Sequence, residues 1–460
     1  MRLERSIRRL CLLALGFAGA AIAQNSPVAY TNAKLIPIDG EEIERGTLVI
    51  EGGKIVAVGP TGRVTIPRGA DEINMAGNVI MPGLVDTHSH IGGVGGADSS
   101  GPIQPGVAVY DSINVRSGGF RRAVAGGLTS LNIMPGSGHL SSGKTVYVKL
   151  RFFEDNAPST IDDITYRFDD GSPMGGLKMA NGTNPMRDGG AGGFPGTRGK
   201  AAFLVREQFI KAREYAAKVA AAGDDESMLP PRDLHLETLA EVLAGERVVH
   251  HHTHRHDDIS TVLRLKEEFG FEVVLHHLSE GWMVADEIAA AGAACSVIMI
   301  DSPGGKLEAA RLSYETGKIL EEAGANVSFH TDDWITDSRY FFRSAALAVR
   351  AGMSREGGLR SLTLSGAEQL DIEDRVGSLT VGKDADFIVL DGDPFSVYTK
   401  VLETYVEGRR VFDRNNPEHR LYAVGGYGAA HDTEPYFCCY DAFMRRGNAG
   451  MRAVFVGGGE

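Results

Sequence analysis

The chain has 460 residues, 43% of them hydrophobic and 23% charged, so it is long enough to bury a sizeable core. Its formal net charge of −13 argues against nucleic acid or an anionic membrane as a partner. The four cysteines have no spacing typical of a disulfide framework or of a CxxC metal site.

Residues 1–23 have the features of a secretory signal peptide. Four arginines precede an apolar stretch at 10–21, and Ala21-Ile22-Ala23 matches a small-residue cleavage site. The apolar stretch is too short to cross a bilayer, which takes about 20 residues. We therefore expect cleavage before Gln24 and export to the periplasm or the medium.

Short stretches of alternating apolar residues follow at 28–80, separated by Gly and Asp turns, and a matching set returns at 386–412. Such runs are typical of a small β-sheet. We expect one β-sandwich domain built from residues 24–81 and 376–420, with a C-terminal extension at 421–460.

Residues 82–375 alternate between strand and helix patterns, which favours parallel βαβ units. The strand that ends near residue 90 and seven later strands give the eight that a (β/α)8 TIM barrel requires. The seven strands are predicted at 129–134, 145–150, 177–180, 247–252, 272–276, 295–300 and 326–329, and helices at 203–222, 258–269, 305–323 and 354–369. A Gly-rich stretch at 182–200 is either a lid over the barrel mouth or a disordered insertion.

His88 and His90 are the first candidate metal ligands. Residues two apart on a strand point to the same face, so both imidazoles face one side of the strand end. Two histidines supply half of a zinc-type ligand set, since a catalytic zinc takes three protein ligands and keeps one position open.

Three later strands also end in metal-ligating residue types. The sequence reads HTHRHDDI at 252–259, HLSEG at 277–281 and HTDD at 330–333. TIM-barrel active sites lie at the carboxyl ends of the strands, so these side chains and the first pair are expected to meet.

In this order the residues resemble the amidohydrolase superfamily, specifically the branch of imidazolonepropionase and the metal-dependent Xaa-Pro or Xaa-Arg dipeptidases. The strongest matches are MPGLVDTHSH at 81–90 and RVGSLTVGKDAD at 375–386, where the family returns to its β-sandwich. The resemblance covers nearly the whole chain after the signal peptide. It implies a barrel that hydrolyses carbon–nitrogen bonds with one or two divalent ions, zinc being the expected metal.

The resemblance assigns the ligands position by position. His88 and His90 match the first-strand pair, His252 the fifth-strand ligand, His277 the sixth-strand ligand and Asp332 the eighth-strand aspartate. His250, His276 and Asp333 are the respective competitors for the last three positions. Asp332 is also the expected general base, and then the acid, for hydrolysis by a metal-activated water.

The residue on the fourth strand determines whether the resemblance implies one metal ion or two. Binuclear members of the superfamily bridge their ions with a carboxylated lysine, and Lys178 in GLKMANGTNP (176–185) suits that role. Thr183 stands where related sequences carry an acid, which leaves the charge balance of the site open. An ordinary lysine is the alternative.

Four further residues are candidates for contacts with a small-molecule substrate: Arg255, His254, His139 and Tyr147. The substrate class implied is a dipeptide, an N-acyl amino acid or a cyclic amide. Two alternatives stay open, a deaminase of ring amidines on the same site and a non-catalytic binding protein. No nucleic-acid or membrane partner is expected, and the family makes a homo-oligomer the expected assembly.

Overall fold

The structure is a computed structural model and describes residues 26–93, 100–186, 195–299, 306–333 and 335–425. The predicted signal peptide, Cys438, Cys439 and all but the first five residues of the predicted extension lie outside the described residues. Residues 187–194 of the Gly-rich stretch lie outside them too. The expectations for these segments stay predictions.

Within the described ranges the chain forms seventeen strands and ten α-helices. The strands are β1 (Val28–Leu35), β2 (Ile43–Glu51), β3 (Lys54–Pro60), β4 (Asp71–Asn74), β5 (Val79–Pro82), β6 (Leu84–Ser89), β7 (Leu128–Ile133), β8 (Ser141–Lys144), β9 (Val146–Lys149), β10 (Leu177–Ala180), β11 (Val249–Thr253), β12 (Val273–His277), β13 (Ala294–Val297), β14 (Val327–Phe329), β15 (Phe387–Leu390), β16 (Val401–Val406) and β17 (Arg409–Asp413). The helices are α1 (Gly118–Ala125), α2 (Arg198–Ala222), α3 (Leu234–Leu243), α4 (His256–Phe269), α5 (Ala285–Ala290), α6 (Thr316–Glu322), α7 (Phe341–Arg350), α8 (Arg355–Ser361), α9 (Leu364–Gln369) and α10 (Pro417–Val424).

Strands from the two ends of the chain share one hydrogen-bonded sheet. Its order is β17-β16-β15-β5-β1-β2-β3, with β4 also paired to β1. The ends join where β5 pairs with β1 in parallel and with β15 in antiparallel register. The rings of Tyr30, Phe387 and Tyr405 pack together in its core, with centroids 4.4–5.6 Å apart. The sequence predicts a sandwich here, and the observed pairing joins all eight strands into a single sheet.

The middle of the chain carries the strands that position the candidate site. Strands β10 to β14 pair in parallel, each with the next along the chain. Strands β6 and β7 pair in parallel, and a parallel bridge between Ser89 and Asp333 connects the end of β6 to the segment after β14. The carboxyl ends of these strands therefore lie on the same side, where candidate residues follow them.

The third position of this strand series departs from the predicted parallel pairing. Strand β9 runs antiparallel to β7, and β8 runs antiparallel to β10. A parallel connection needs a crossover of a dozen or more residues, usually through a helix. Only residues 134–140 separate β7 from β8, so the chain turns back on itself instead.

The helices follow the prediction at α2 and α4, whereas two others are shorter than predicted. The helix predicted at 354–369 is broken into α8 and α9 at Thr363, whose φ of −136° and ψ of −92° are not helical. The helix predicted at 305–323 is reduced to a 3₁₀ turn and α6. No helix among the described residues combines the length and the apolar character needed to cross a membrane.

A buried ionic cluster ties the middle of the chain to the terminal sheet. Lys149, at the end of β9, is fully buried and contacts Asp384 directly. Its Nζ also lies 3.1 Å from Asp386 Oδ2 and 3.7 Å from Glu407 Oε1. Burial alone would raise the pKa of Asp384, but Lys149 and Lys54 outweigh burial and lower it. Asp384 therefore adds stability above about pH 4, and this stability is lost as the pH falls through its folded pKa.

We predict that Lys149→Met lowers the free energy of unfolding by about 3–5 kcal/mol at pH 7, because it leaves buried carboxylates without their cation. The loss shrinks as the pH approaches 4, where protonation relieves the carboxylates. Urea unfolding at both pH values measures it. Lys400→Met is the control, since Lys400 is 56% exposed and lies 3.9 Å from Asp391, and it changes stability by less than about 0.5 kcal/mol. Equal losses in the two variants contradict this account.

Candidate metal centre

Five strands bring candidate ligands to one buried site. His88 lies in β6, Lys178 in β10, His252 in β11 and His277 in β12, while Asp332 follows β14 by three residues. All five are at most 4% exposed. They meet because each lies at or near the carboxyl end of its strand.

The first ligand group consists of His88, His90 and Asp332. His88 Nε2 lies 3.2 Å from His90 Nε2, and Asp332 Oδ1 lies 3.4 Å from the former and 2.9 Å from the latter. Ligand atoms around a tetrahedral zinc are about 3.3 Å apart. The other ring nitrogen of His90, Nδ1, bonds the carbonyl of Met134 at 2.7 Å and orients the ring.

The second group consists of His252, His254 and His277. One ring nitrogen from each can be chosen so that all three lie within 4.8 Å of one another. His254 Nδ1 bonds Ser279 Oγ at 2.8 Å, and its Nε2 lies 3.3 Å from Lys306 Nζ. His254, expected as a substrate contact, thus lies at the edge of this group.

Lys178 lies beside the first group, close to where the two groups approach each other. Its Nζ is 3.1 Å from His88 Nε2 and 2.9 Å from the sulfur of Met134. The rings of His88 and His277, one from each group, have centroids 5.0 Å apart. This placement is compatible with a side chain that contacts ions on both sides.

Two candidate ligands have strained backbone conformations. His277 has a φ of 75° and Asp332 a φ of 47°, in the left-handed region that non-glycine residues rarely adopt. Such strain concentrates at functional sites and persists where the surrounding structure enforces it. The N–H of Asp332 donates to the carbonyl of His88 at 2.9 Å, and the N–H of Leu278 donates to the carbonyl of Thr253 at 3.0 Å.

Asp86 links the end of β6 to the segment after β14 through hydrogen bonds. Its carboxylate accepts hydrogen bonds from the N–H of His88 at 3.1 Å, the N–H of Thr331 at 3.2 Å and the hydroxyl of Thr331 at 2.5 Å. Burial raises the pKa of Asp86 to about 7, although these hydrogen bonds lower it. The position of Asp332 relative to His88 therefore depends on this residue.

The electrostatics of the site favour the forms that bind cations. Burial lowers the pKa of His88, His252 and His277 well below the usual value, and neighbouring basic side chains, lysine or histidine, lower it further. These imidazoles are thus neutral. Burial would raise the pKa of Asp332, but the adjacent His90 and other nearby basic groups lower it, so the carboxylate is ionised.

Ring nitrogens without a hydrogen-bond partner indicate whether a metal ion fits this site. Among the described residues, both ring nitrogens of His252 and of His277 and the Nδ1 of His88 are buried without a hydrogen-bond partner. Buried polar atoms in folded proteins nearly always have partners. Neutral imidazoles and a carboxylate with this spacing are a donor set that suits zinc.

The competing histidines belong to neither ligand group, although the ring of His276 lies 5.0 Å from that of His88. His250 Nε2 bonds the hydroxyl of Tyr147 at 2.9 Å, and His250 Nδ1 bonds His276 Nε2 at 3.0 Å. These two histidines and Tyr147 thus form their own buried chain. Tyr147, expected as a substrate contact, is 3% exposed and engaged in this chain.

The remaining expected substrate contacts lie farther out. The guanidinium of Arg255 pairs with Asp257, with Nη2 2.8 Å from Oδ2, and the side chain is 39% exposed. It matches a surface ion pair better than a group that grips substrate. His139 lies half-buried in the segment between β7 and β8.

The carboxylate of Glu308 lies beside Thr183, the residue that departs from the family pattern. Glu308, which follows β13 in the chain, accepts a hydrogen bond from the N–H of Thr183 at 2.9 Å and is 5% exposed. Arg198, at the start of α2, lies 3.6 Å from Glu308. A carboxylate therefore lies next to Thr183 although its own side chain carries none.

Sequence reasoning assigned no role to His330, which also faces the site. One ring nitrogen each from His88, His277 and His330 lie within 4.8 Å of one another. The available signal was its spacing from Asp332, because residues two apart in extended chain share a face.

We predict that metal affinity depends weakly on acid pH, because burial already keeps the imidazoles of His88, His252 and His277 neutral. Three ordinary histidines would each weaken binding about tenfold at pH 5.5 relative to neutral pH. We expect less than about tenfold in all, measured by zinc competition with a chelator at pH 7.5 and 5.5. The chelator's own pH dependence is the control, and a thousandfold loss contradicts the prediction.

Comparisons with known proteins show the family of this chain. A model of an amidohydrolase family matches residues 120–412. A solved amidohydrolase from Thermotoga maritima MSB8 is 31% identical with a TM-score of 0.77, over 84% of this chain and 100% of that one. An imidazolonepropionase from Deinococcus radiodurans is 27% identical over 80% of this chain and 92% of its own length.

The amidohydrolase tasK of Hapsidospora irregularis is 25% identical over 80% of this chain, which spans only 40% of that longer protein. The family match covers more than half of the chain, and the Thermotoga structure is covered completely. The chain belongs to the amidohydrolase family, whose members are hydrolases acting on carbon–nitrogen bonds and have a TIM-barrel-like fold.

Proposed function

We propose that this protein is a metal-dependent amidohydrolase that cleaves the carbon–nitrogen bond of an amide in a dipeptide, an N-acyl amino acid or a cyclic amide. The observation that carries the proposal is the pair of adjacent ligand groups with unpaired buried nitrogens, in a chain of this family. Metal use and the amide substrate are our inference from that arrangement.

We also propose that the central strands close into a barrel. The eight barrel positions would be taken by β6, by β7, by β8 together with β9, and by β10 to β14, with the Ser89–Asp333 bridge joining the last position to the first. The strand at the third position, β8 with β9, then runs antiparallel to its neighbours. The site lies at the carboxyl ends of the parallel strands, where barrel enzymes have their active sites.

The ions, when bound, supply Lewis-acid activation of a water and of the substrate carbonyl. His88, His90 and Asp332 would hold one ion, and His252 and His277 would hold the other. Asp332 is an ionised carboxylate in this site, so it is able to accept the proton of the attacking water. It then delivers that proton to the leaving nitrogen, and the strained, hydrogen-bonded backbone fixes its direction.

Lys178 is proposed as the residue that would bridge two ions, after its neutral Nζ adds carbon dioxide from solution and releases a proton to give a carbamate. Full burial is unfavourable for an ammonium ion, whereas a carbamate would supply anionic oxygens to bound cations. The Nζ of Lys178 lies 3.1 Å from His88 Nε2, and the rings of His88 and His277 have centroids 5.0 Å apart, which supports this role.

The first experiment measures metal content and then screens hydrolysis. Purified protein is freed of metal with a chelator, reloaded with zinc or manganese, and assayed on dipeptides, N-acyl amino acids and cyclic amides. We expect stoichiometric metal and release of a carboxylate and an amine or, from a cyclic amide, one ring-opened product. Ammonia release from ring amidines instead would identify a deaminase, and absence of bound metal would overturn the proposal.

We predict that Asp332→Asn lowers kcat by about 10²- to 10⁴-fold, because the amide cannot accept the proton. Asp333→Asn is the matched control. Its carboxylate accepts the N–H of Ser338 at 3.3 Å and contacts no residue of the ligand groups, so kcat per folded molecule stays within about threefold of wild type. Steady-state kinetics on the best substrate, with folding checked by circular dichroism, decides. If Asp333→Asn lowered kcat more than Asp332→Asn, the general base would be Asp333.

We predict that Lys178→Ala reduces bound metal from two ions to one and lowers activity, because the bridge is lost. Metal analysis gives the count, and ¹³C-bicarbonate labelling of wild type detects the carbamate. Two ions and unchanged activity in the variant, or an unlabelled wild type that binds two ions, would show that Lys178 is an ordinary lysine.

A further inference from the structure

His330 is a buried imidazole that the proposed reaction does not yet use. It is fully buried one residue beyond β14, and its Nε2 has no hydrogen-bond partner among the described residues. Its ring stacks on that of His88 with centroids 4.8 Å apart, and it meets the ring of His277 edge-on at 4.9 Å. It therefore lies between one member of each ligand group.

A chain of hydroxyl groups holds the far side of this ring. His330 Nδ1 lies 2.8 Å from Ser296 Oγ, which lies 2.6 Å from Thr87 Oγ1. Thr87 Oγ1 is 3.4 Å from Ser328 Oγ, and Ser328 donates to Gln369 Oε1 at 2.8 Å. The Gln369 amide is fixed because its Nε2 donates to the carbonyl of Cys295 at 3.1 Å.

This chain has a direction that suits metal binding. If each group donates to the next toward Gln369, the proton of His330 is on Nδ1 and Nε2 carries the lone pair, in a ring that contacts those of His88 and His277. A cation near those residues stabilises this tautomer. In the other tautomer Nε2 carries the proton and has no lone pair for the cation. Hydrogen bonds on the outer nitrogen orient metal-binding histidines in this way.

We infer that His330 Nε2 is a further ligand of the metal centre, held in its ligating tautomer by Ser296 and Thr87. The inference rests on the proposed metal use. An added imidazole makes the donor set richer in nitrogen, which favours zinc over manganese, since manganese prefers oxygen ligands. His330 thus contributes to the choice of metal.

The test compares wild type with His330→Gln, Ser296→Ala and a matched control, His250→Gln. The control also removes one fully buried imidazole, but His250 bonds Tyr147 and His276 and belongs to neither ligand group. Each protein is stripped of metal, checked for folding by circular dichroism, and titrated with Zn²⁺ and Mn²⁺ against a chromophoric chelator. Cobalt-loaded samples give visible spectra that report the ligands directly.

We expect His330→Gln to weaken Zn²⁺ binding at least tenfold, weaken Mn²⁺ binding less, and shift the cobalt spectrum. Ser296→Ala keeps the ring and weakens Zn²⁺ binding about 10- to 100-fold, and it carries the test if His330→Gln fails to fold. An unchanged affinity and spectrum in both variants, or an equal change in His250→Gln, overturns the inference. If wild type itself binds no metal, the proposed function fails with it.

Discussion

The candidate centre depends on the connection between the first and last strands of the central series. The N–H of Asp332 donates to the carbonyl of His88, and Asp86 accepts hydrogen bonds from His88 and Thr331. These bonds join chain segments more than 240 residues apart. Without them the carboxylate of Asp332 would not lie within 3.4 Å of two imidazoles, and the first ligand group would not form.

The hydrogen bonds that join the first and last strands also explain why the site is strained and buried. Asp332 adopts a left-handed conformation, and three of the neighbouring imidazoles are kept neutral by burial. Both features cost stability in the absence of a cation. The ionic cluster around Lys149 and the core of the terminal sheet lie in other parts of the fold, where they stabilise it. A metal ion would recover part of this cost on binding, since it binds the folded state alone.

Sequence reasoning located the main strand ends because short apolar stretches lead directly into His and Asp residues. It placed His88, His252, His277 and Asp332 on separate strands, and the structure brings them together. The antiparallel third strand was missed although the short segment between β7 and β8 excludes a crossover. The partners of Arg255 and Tyr147 could not be foreseen, because they depend on side-chain rotamers and on the register between strands. His330 was placed at a strand end but given no role, since the family pattern assigns the ligand of that strand to Asp332, two residues later.

The most direct measurement of the central claim is anomalous diffraction at the zinc absorption edge from crystals of the zinc-loaded protein. The account predicts a strong peak within about 2.0–2.2 Å of ring nitrogens of His88 and His90 and of an oxygen of Asp332. A second ion would add a peak beside His252 and His277. A zinc-loaded crystal with no peak among these residues, or with zinc bound only at surface histidines such as His235, would contradict the assignment of a metal centre here.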